Sequence, residues 1–279
     1  MIEAKTALIQ ATHYLEIYSE TARLDAEILL AHVTRTTRTY LYAHPEIILT
    51  KTQWQTFQQL TEQRAQGKPV AYLTGHREFW SLPLKVCGAT LIPRPETELL
   101  VELTLLLLAD KPDARILDLG TGSGAIALAL ASERPGWEIT ACDYSADALQ
   151  IAKENAASLN FANVCFYQSN WFEAIDDKKR FDAIVSNPPY ISANDPHLTQ
   201  GDLRFEPQLA LVSGEDGLSA LKHLIQHSLA RLQAGGLLLL EHGFDQKLAV
   251  ESMLHNYGYQ QVQCWQDWQG QDRVSGGRR

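Results

Sequence analysis

The sequence has few cysteines and no paired cysteine motif. Four cysteines are spread over 279 residues, and no two of them form a CxxC pattern. Cys142 and Cys165 sit in apolar, strand-like runs, so we expect buried free thiols in a reducing compartment rather than a disulfide framework. The N-terminal part also lacks any cluster of His, Cys or carboxylate residues at ligand spacing, and we expect no metal site.

The sequence also lacks a long apolar run and an excess of positive charge. No segment approaches the roughly 18 continuous apolar residues of a membrane span, and no basic region followed by an apolar stretch opens the chain. The formal net charge is −9, so no global basic field attracts nucleic acid or an anionic membrane. We therefore expect a cytoplasmic protein with no membrane association and no direct nucleic-acid binding.

Residues 1–72 have a helical pattern throughout. Two apolar stripes recur at helical spacing, each behind a threonine that could serve as N-cap. The first stripe, behind Thr21, consists of Leu24, Ile28 and Leu29, with Leu30 as a further candidate. The second, behind Thr50, consists of Trp54, Phe57 and Leu60. Amphipathic segments need each other to bury such stripes, which predicts a small domain of four or five helices. The domain has no clustered chemical groups, so we expect it to hold a partner.

Residues 73–92 change to shorter apolar runs on both sides of Ser81-Leu82-Pro83. Aromatic and β-branched residues around a proline-containing turn predict a β-hairpin that links two domains. Pro93 and Pro95 then stiffen the chain before an apolar helix predicted over residues 99–108, for which Thr97 is a possible N-cap.

From Ala114 onwards short strands and helices alternate. The predicted strands are residues 115–119, 138–142, 164–168, 181–186 and 237–241, and the predicted helices are residues 126–133, 146–159 and 218–232. This alternation predicts an α/β domain with a mostly parallel sheet and helices on both faces. A longer loop spans residues 191–214, and residues 261–265 and 272–275 could form a final antiparallel hairpin.

A glycine-rich loop, residues 120–124, lies between the first strand and the first helix of this sheet. Its glycines allow a tight turn and close approach of a ligand, and the helix start offers free N–H groups. Gly120, Gly122 and Ala125 also satisfy the weak GxGxxG/A dinucleotide pattern, so the glycines alone do not choose a cofactor. Asp118 would repel a diphosphate but suits a cationic ligand or orients the loop, which favours S-adenosylmethionine over NAD.

Two further polar or aromatic positions follow the next strands. Asp143 ends the second strand, where a carboxylate can accept hydrogen bonds from both ribose hydroxyls of a cofactor. It could equally be the N-cap of the following helix, although Ser145 could serve instead. Trp171 follows the third strand, where an adenine would lie, and a plain core position is the alternative.

The fourth strand stops abruptly at Asn187-Pro188-Pro189-Tyr190. Two consecutive prolines cannot supply N–H groups to a sheet, and each disfavours helix at the residue before it. The turn presents a side-chain amide, carbonyls and an aromatic ring at the carboxyl end of a strand, where open α/β sheets place ligands. This is a recognition surface for a planar, hydrogen-bonding group, and an ordinary turn is the alternative. In such a sheet the fourth strand lies beside the first. The glycine-rich loop and this proline turn, residues 187–190, should therefore flank one crevice.

These residues resemble those of a known family. Residues 118–124 followed by residues 187–190 resemble S-adenosylmethionine-dependent methyltransferases that act on amino groups. Residues 91–98, 204–207, 241–243 and 272–274, with the helical N-terminal region, are similar to the peptide chain release factor glutamine methyltransferase family. The resemblance covers essentially the whole length, and only residues 276–279 depart slightly from the usual ending.

The resemblance implies a fold and an activity. The fold is a class I (Rossmann-like) methyltransferase domain over residues 93–279 with a mostly parallel seven-stranded sheet. A helical substrate-docking domain (residues 1–72) and a connecting β-hairpin (residues 73–92) precede it. The implied reaction moves a methyl group from S-adenosylmethionine, leaving S-adenosylhomocysteine, to the side-chain nitrogen N5 of the glutamine in the Gly-Gly-Gln motif of class I release factors.

The resemblance also implies roles for site residues. The implied cofactor-binding residues are Gly120, Thr121, Gly122, Ser123, Gly124, Asp143, Trp171 and Asn187. The implied catalytic residues are Asn187, Pro188 and Tyr190, and the implied substrate-binding residues are Asn187, Pro188, Pro189 and Tyr190. The Asn187 side-chain oxygen and the Pro188 carbonyl would hold the two hydrogens of one NH₂ group, with Tyr190 stacked on the amide or packed beside it.

Three alternatives differ in class. The main alternative is a nucleic-acid methyltransferase, since adenine N6 or guanine N2 presents the same planar NH₂ group. The acidic net charge disfavours it, as does the lack of a Lys/Arg-rich aromatic stretch in residues 1–72. An NAD-dependent oxidoreductase would leave the double proline unexplained. A non-catalytic protein of the same fold would not need Asn187 and Asp143.

Overall fold

The computed structural model describes residues 2–279, which form two compact units. The helical unit comprises the chain through His76 together with His197–Phe205. The sheet unit comprises Arg77–Pro196 and Glu206–Arg279. Within the described chain, no helix combines the length and the apolar character that crossing a bilayer requires.

Five α-helices and one short strand pair make up the first part of the helical unit. The helices are α1 (Ala4–Leu15), α2 (Ala22–Thr34), α3 (Arg38–Ala43), α4 (Lys51–Ala65) and α5 (Val70–Thr74), and the strands are β1 (Ile2–Glu3) and β2 (Ile48–Leu49). The two strands pair in antiparallel fashion. Helices α1, α2 and α4 bury their apolar faces in a shared cluster, as the predicted amphipathic pattern requires.

The two predicted helix caps behave differently. Thr50 forms a capping box with Gln53 at the start of α4, as predicted. Thr21 occupies the N-cap position of α2, but its hydroxyl donates to Asp25 Oδ1 at 2.9 Å instead of accepting from the helix. The prediction that Leu24 belongs to the buried stripe of α2 was wrong, because this side chain is 38% exposed. The buried apolar face of α2 runs through Ala22, Ala26, Leu29, Leu30 and Ala31.

The sheet unit is built on seven strands. They are β5 (Arg115–Leu119), β6 (Glu138–Asp143), β7 (Val164–Gln168), β8 (Phe181–Ser186), β9 (Leu232–Glu241), β10 (Gln260–Gln266) and β11 (Asp272–Arg278). Their order across the sheet is β10-β11-β9-β8-β5-β6-β7. The strands from β9 to β7 run parallel, and β11 is antiparallel to both of its neighbours. The predicted mostly parallel sheet with an antiparallel terminal hairpin is confirmed.

Helices cover both faces of this sheet. They are α6 (Glu98–Leu107), α7 (Ala125–Glu133), α8 (Ala146–Ser158), α9 (Ser219–Ser228) and α10 (Lys247–Asn256). Helices α6 and α7 contribute to one buried apolar cluster, whereas α9 and α10 contribute to another. Ile116 and Leu117, neighbours on β5, belong to different clusters because successive strand residues point to opposite faces.

A two-stranded hairpin precedes the sheet, as predicted. Its strands are β3 (His76–Phe79) and β4 (Leu82–Lys85). Phe79 and Leu84 are both buried in the apolar cluster that contains α6 and α7. The hairpin is therefore packed into the core of the sheet unit.

Strands β6 and β10 exceed their predicted bounds by one residue at one end or both, and two other strands extend further. Strand β9 begins at Leu232, where the prediction began at residue 237, and β11 ends at Arg278, where the prediction ended at Ser275. The extra residues include glycines, which weaken the sequence signal for a strand. Gly276 is needed where it stands, because a Cβ there would come within 2.3 Å of the Leu238 carbonyl oxygen on the neighbouring strand.

The predicted loop over residues 191–214 divides between the two units. It contains 3₁₀ turns at Pro196–Thr199, Leu203–Phe205 and Gln208–Ala210. Within the helical unit, Arg64 pairs with Asp202 at 3.0 Å, and Arg204 donates to the Gln66 carbonyl at 2.6 Å. Residues 197–205 are thus held by α4 and the turn that follows it.

All four cysteines are free thiols. Cys142 is buried as predicted, but the prediction that Cys165 is buried was wrong. Cys165 lies on β7, the edge strand of the sheet, where one side lacks a neighbouring strand. Cys87 and Cys264 are partly buried.

Candidate active site

The glycine-rich loop folds back over the end of β6. Gly120, Gly122 and Gly124 have left-handed φ angles of 74°, 57° and 87°, a conformation that glycine adopts without the strain of a Cβ. The backbone amides of Gly120 and Thr121 both donate to the Cys142 carbonyl at 2.9 Å. Loop residues 120–124 are thus fixed against the strand that carries the next candidate residue.

One side of this loop is open and the other is held. A Cβ on Gly122 would meet no atom within 4 Å, whereas a Cβ on Gly120 would lie 3.7 Å from Cζ3 of Trp171. On the held side, the Ser123 carbonyl accepts a hydrogen bond from Asn155 Nδ2 at 2.9 Å. The loop therefore has open space at Gly122 and is bordered by Trp171 at Gly120.

Asp118 is fully buried at the end of β5, directly before the loop. The Thr121 hydroxyl donates to its Oδ2 at 2.6 Å, so Asp118 orients the loop. The backbone N–H of Ala127, in the first turn of α7, also stabilises the charged form of this carboxyl group. Burial raises the pKa of Asp118 to about 7. A buried carboxylate of this kind favours a cation nearby and disfavours a phosphate.

Asp143 connects the glycine loop to the end of β6. Its Oδ2 accepts from the Gly122 amide and its Oδ1 from the Ser145 amide, each at 2.8 Å. Ser145 is the N-cap of α8, since its hydroxyl accepts from the Ala148 amide at 3.2 Å. Asp143 is therefore not the helix cap. Its carboxylate, whose pKa is raised by burial, lies at the carboxyl end of the sheet beside the open loop.

Trp171 follows β7 in a left-handed conformation with φ of 53°. Ser169 holds this turn, because its amide donates to the Asp143 carbonyl and its hydroxyl to the Trp171 carbonyl, each at 2.9 Å. The indole is partly buried, with its ring centroid 6.3 Å from that of His223. The indole packs on the core formed with α9 and also borders Gly120. This place is compatible with both roles considered for it, a neighbour of the adenine and a core residue.

The proline turn lies beside the glycine loop, as predicted. Strand β8 pairs with β5 in parallel, with Asp118 opposite Val185. The Ser186 hydroxyl donates to the Leu119 carbonyl at 2.6 Å, which joins the two strand ends directly before the loop and the turn. Pro188 is buried at this junction.

Asn187 makes a specific contact through one end of its side-chain amide. Its Nδ2 donates to the Thr97 hydroxyl oxygen at 3.0 Å, which leaves Oδ1 as an acceptor. Thr97 precedes α6, where the sequence predicted a cap, but it makes no capping hydrogen bond. That prediction was wrong because the hydroxyl is engaged by Asn187 instead.

Tyr190 is fixed at both its side chain and its backbone. Its hydroxyl donates to Glu241 Oε1 at 3.3 Å, and its carbonyl accepts from Gln246 Nε2 at 3.0 Å. Burial raises the pKa of Tyr190 well above its ordinary value and that of Glu241 to about 7. Pro189 stands between Pro188 and Tyr190, partly buried, so the whole turn is rigid.

The segment before α6 is held by a buried glutamate from far along the chain. Glu206 accepts from the Ile92 amide at 3.1 Å and forms an ion pair with Arg94. The local sequence indicates no site role for Thr97, Glu206 or Glu241. All three lie in segments that contributed to the family resemblance, but no local pattern indicates which distant group a single Thr or Glu contacts.

The predicted site residues thus meet at one edge of the sheet, at the carboxyl ends of β5, β6, β7 and β8. Glycine loop, Asp143 and Trp171 lie on one side, and the Asn187 to Tyr190 turn lies on the other. Among residues 2–279, no group of three or more His, Cys, Asp or Glu side chains could hold a metal ion. The arrangement can bind a ligand against the loop and present oxygen acceptors to an NH₂ group.

Comparison with known proteins places this geometry in a family. The model of the PrmC N-terminal domain matches residues 6–75, and that of the methyltransferase small domain matches residues 96–201. The release factor glutamine methyltransferase of Salmonella typhimurium is 54% identical over 260 residues, which cover 93% of this chain and 93% of the relative. The chain belongs to the release factor glutamine methyltransferase family. The Vibrio cholerae member is 48% identical over 281 residues, 99% of this chain and 97% of that protein.

A solved structure supports the fold of this family member. A 16S rRNA methyltransferase of Thermus thermophilus, in complex with AdoMet and guanosine, superposes with a TM-score of 0.54 at 20% identity. The match covers 73% of this chain and 49% of that one. Together with the methyltransferase family model, it confirms the predicted class I methyltransferase fold.

Proposed function

We propose that this protein transfers a methyl group from S-adenosylmethionine to the side-chain nitrogen N5 of a glutamine. The glutamine is that of the Gly-Gly-Gln motif in class I peptide chain release factors. The observation that carries the proposal is the orientation of Asn187, whose NH₂ group is bound to Thr97 and whose oxygen is left to accept. Membership of the release factor glutamine methyltransferase family supports the choice of a glutamine amide over other NH₂ groups.

The residues around the glycine loop fit S-adenosylmethionine. Gly122 leaves open space above the loop, and Asp143 supplies carboxylate oxygens for ribose hydroxyls. The buried carboxyl group of Asp118 directly precedes the loop and is bound to it through Thr121, and a cationic ligand would favour its charged form. When bound, the cofactor supplies a methyl group on a positively charged sulfur. Trp171 would border the adenine, and residues 120–124 would contact the methionine portion.

The proline turn, residues 187–190, compensates for a weak nucleophile. A carboxamide nitrogen reacts poorly because its lone pair is delocalised into the carbonyl group. Asn187 Oδ1 and the Pro188 carbonyl would each accept one hydrogen of the substrate NH₂ group, which orients the nitrogen and stabilises the positive charge that develops on it. No strong base is needed, since the nitrogen becomes acidic once it carries the methyl group. Pro188 and Pro189 keep the two acceptors in place.

Tyr190 has a supporting part in this scheme. Its ring packs against the core that contains β8 and β9, and its hydroxyl is bound to Glu241. We propose that the ring stacks on the planar amide of the substrate or packs beside it. The raised pKa of Tyr190 keeps its hydroxyl neutral at physiological pH, so it acts through shape and hydrogen bonding and not as a base.

We further propose that the helical unit docks the release factor, that the protein works in the cytoplasm and that it does not bind nucleic acid directly. The charge balance supports the last point, since the formal net charge is −9. Hydrogen–deuterium exchange on the full chain tests the docking proposal. Addition of an unmodified release factor should protect amides within residues 2–76, and protection confined to residues 77–196 and 206–279 would contradict it.

The direct test uses labelled S-adenosylmethionine with three candidate substrates. An intact class I release factor should be labelled on its Gly-Gly-Gln loop, and a factor with Gln replaced by Glu at that position should not. DNA and ribosomal RNA are the other two substrates. Labelling of either nucleic acid, with none on the release factor, would overturn the assignment in favour of the nucleic-acid alternative.

A further inference from the structure

A buried carboxylate lies next to the proline turn, residues 187–190. Glu241 is 1% exposed at the end of β9, and the pairing of Ser186 with Leu240 places it next to Asn187 across the two strands. Its Oε1 accepts from the Tyr190 hydroxyl at 3.3 Å, and the Thr97 hydroxyl interacts with the same carboxyl group. Burying a carboxylate is costly unless its charge is compensated. The mechanism proposed above does not use this group.

The hydrogen bonds around Glu241 run in one direction. The Asn187 Nδ2 group can only donate and a carboxylate can only accept, whereas the hydroxyl of Thr97 can do both. Because that hydroxyl accepts from Asn187 at 3.0 Å, its single hydrogen is free for Glu241, whose charged form Thr97 stabilises. The series therefore runs from Asn187 through Thr97 to Glu241. Reversing it would require Glu241 to donate, which only its protonated form can do, and both Thr97 and Arg273 favour the charged form.

We propose that Thr97 and Glu241 are positioning residues that hold the Asn187 amide with its oxygen towards the substrate NH₂ group. The proposal rests on the proposed function, since only a substrate that donates two hydrogens needs an oxygen at that place. An amide turned by 180° would present its own NH₂ group to the substrate NH₂ group, and neither could accept. Glu241 also anchors Tyr190, so one carboxylate fixes both ends of the turn.

A neighbouring arginine partly offsets the burial of the Glu241 carboxylate. The Arg273 guanidinium donates to Asp267 at 3.2 Å and to the His242 carbonyl at 3.4 Å. Its positive charge favours the ionised form of Glu241, in opposition to burial. Arg273 comes from β11, the strand next to β9. Adjacent strands thus supply the carboxylate and its compensating charge.

The test distinguishes the effect of the Thr97 hydroxyl from the effect of the side chain's volume. Thr97→Val removes the hydroxyl with little change of volume, and Thr97→Ser restores it. Thr104→Val is the matched control, because Thr104 is equally buried on α6 and its hydroxyl donates only to the Leu100 carbonyl, at 2.7 Å. We expect Thr97→Val and Glu241→Gln to lower kcat by about 10-fold to 100-fold, as loss of an orienting partner does elsewhere. In both variants KM and the cofactor Kd should change little. Thr97→Ser should regain most of the wild-type kcat, and Thr104→Val should have the wild-type kcat.

A second readout does not depend on activity. The chain has seven asparagines, so selective ¹⁵N-asparagine labelling gives few side-chain NH₂ signals, and that of Asn187 is assigned by its absence in Asn187→Asp. Thr97→Val should shift this signal and speed its solvent exchange, and Thr104→Val should not. An unmoved Asn187 signal in Thr97→Val, or a kcat for Thr97→Ser as low as that for Thr97→Val, would overturn the proposal. A wild-type enzyme that labels no release factor would overturn the proposed function instead, and the NMR result would still decide the orientation.

Discussion

The backbone amide of Gly122 donates to the side chain of Asp143 over 2.8 Å. This hydrogen bond joins the loop after β5 to the end of β6, and it leaves the second lone pairs of the carboxylate available to a ligand. The residue that would accept from the ribose thus also fixes the loop that would hold the methionine portion. Cofactor binding should therefore depend on Asp143 twice, once by direct contact and once through the loop.

Asp143→Asn tests this double dependence. The amide replaces one acceptor oxygen with a donor that faces either the Gly122 or the Ser145 amide. We expect the affinity for S-adenosylmethionine to fall by about 10-fold to 100-fold, since hydrogen bonds to a charged group contribute roughly 1.5–3 kcal/mol. Isothermal titration calorimetry measures this. Asp147→Asn, an equal charge change at an exposed position of α8, should leave the affinity unchanged; equal losses in both variants would point to net charge as the cause.

Two alanine substitutions in the glycine loop should have different effects. Gly122→Ala places its methyl group in open space, so the fold should survive with a strain of about 1–2 kcal/mol while cofactor affinity is lost. Gly124→Ala brings its methyl group to 3.0 Å from Leu128 Cδ1, so its thermal stability should fall further. Thermal unfolding and calorimetry on both variants check the contrast. Full cofactor binding by Gly122→Ala would mean that the ligand does not lie above this loop.

Asp118 should make stability depend on pH. Its pKa is about 7 in the folded protein and near 4 in an unfolded chain, so between these values the folded state holds the extra proton. The stabilisation from this proton is fully present below about pH 4 and is lost as the pH rises towards about 7, at up to about 1.4 kcal/mol per pH unit. Acidification within this window should strengthen the Asp118 contribution.

The comparison with Asp118→Asn isolates that contribution. The amide oxygen can still accept from the Thr121 hydroxyl, but the group no longer titrates. Groups common to both proteins, including Glu241, cancel in the difference between their free energies of unfolding. Urea unfolding across the same window should show the variant gaining stability relative to wild type as the pH rises. A difference that stays flat or changes in the opposite direction would show that Asp118 does not hold a proton in the folded protein.

Local sequence patterns were sufficient for much of the sheet. The bounds of β5, β7 and β8 agree with prediction to the residue, because each is a short apolar run closed by turn residues. The ends of β9 and β11 were missed where glycines interrupt the pattern. Gly276 belongs to its strand because the Leu238 carbonyl on β9 leaves no room for a side chain, which is a fact about the neighbouring strand.

The site was predictable where a residue acts through its own strand end. Asp143 and Asn187 lie where the pattern of strand followed by loop placed them. Thr97 was misjudged because a threonine before an apolar helix is a good local cap signal, whereas its actual partner, Asn187, lies 90 residues away. The pairing of Arg64 with Asp202, 138 residues apart, was inaccessible for the same reason. Such contacts follow from the fold and leave no periodic trace in the sequence.

We propose that Asn187 presents its side-chain oxygen to the substrate amide. Asn187→Ala removes that oxygen and should retain the fold and cofactor affinity while the rate of transfer falls about 100-fold to 1000-fold. Asn194→Ala, at an exposed position on the same segment, is the matched control and should transfer at the wild-type rate.

The most direct measurement is single-turnover methylation of an intact release factor by wild type, Asn187→Ala and Asn194→Ala, each saturated with S-adenosylmethionine. We predict that only Asn187→Ala loses the transfer step. Wild-type turnover by Asn187→Ala would contradict it.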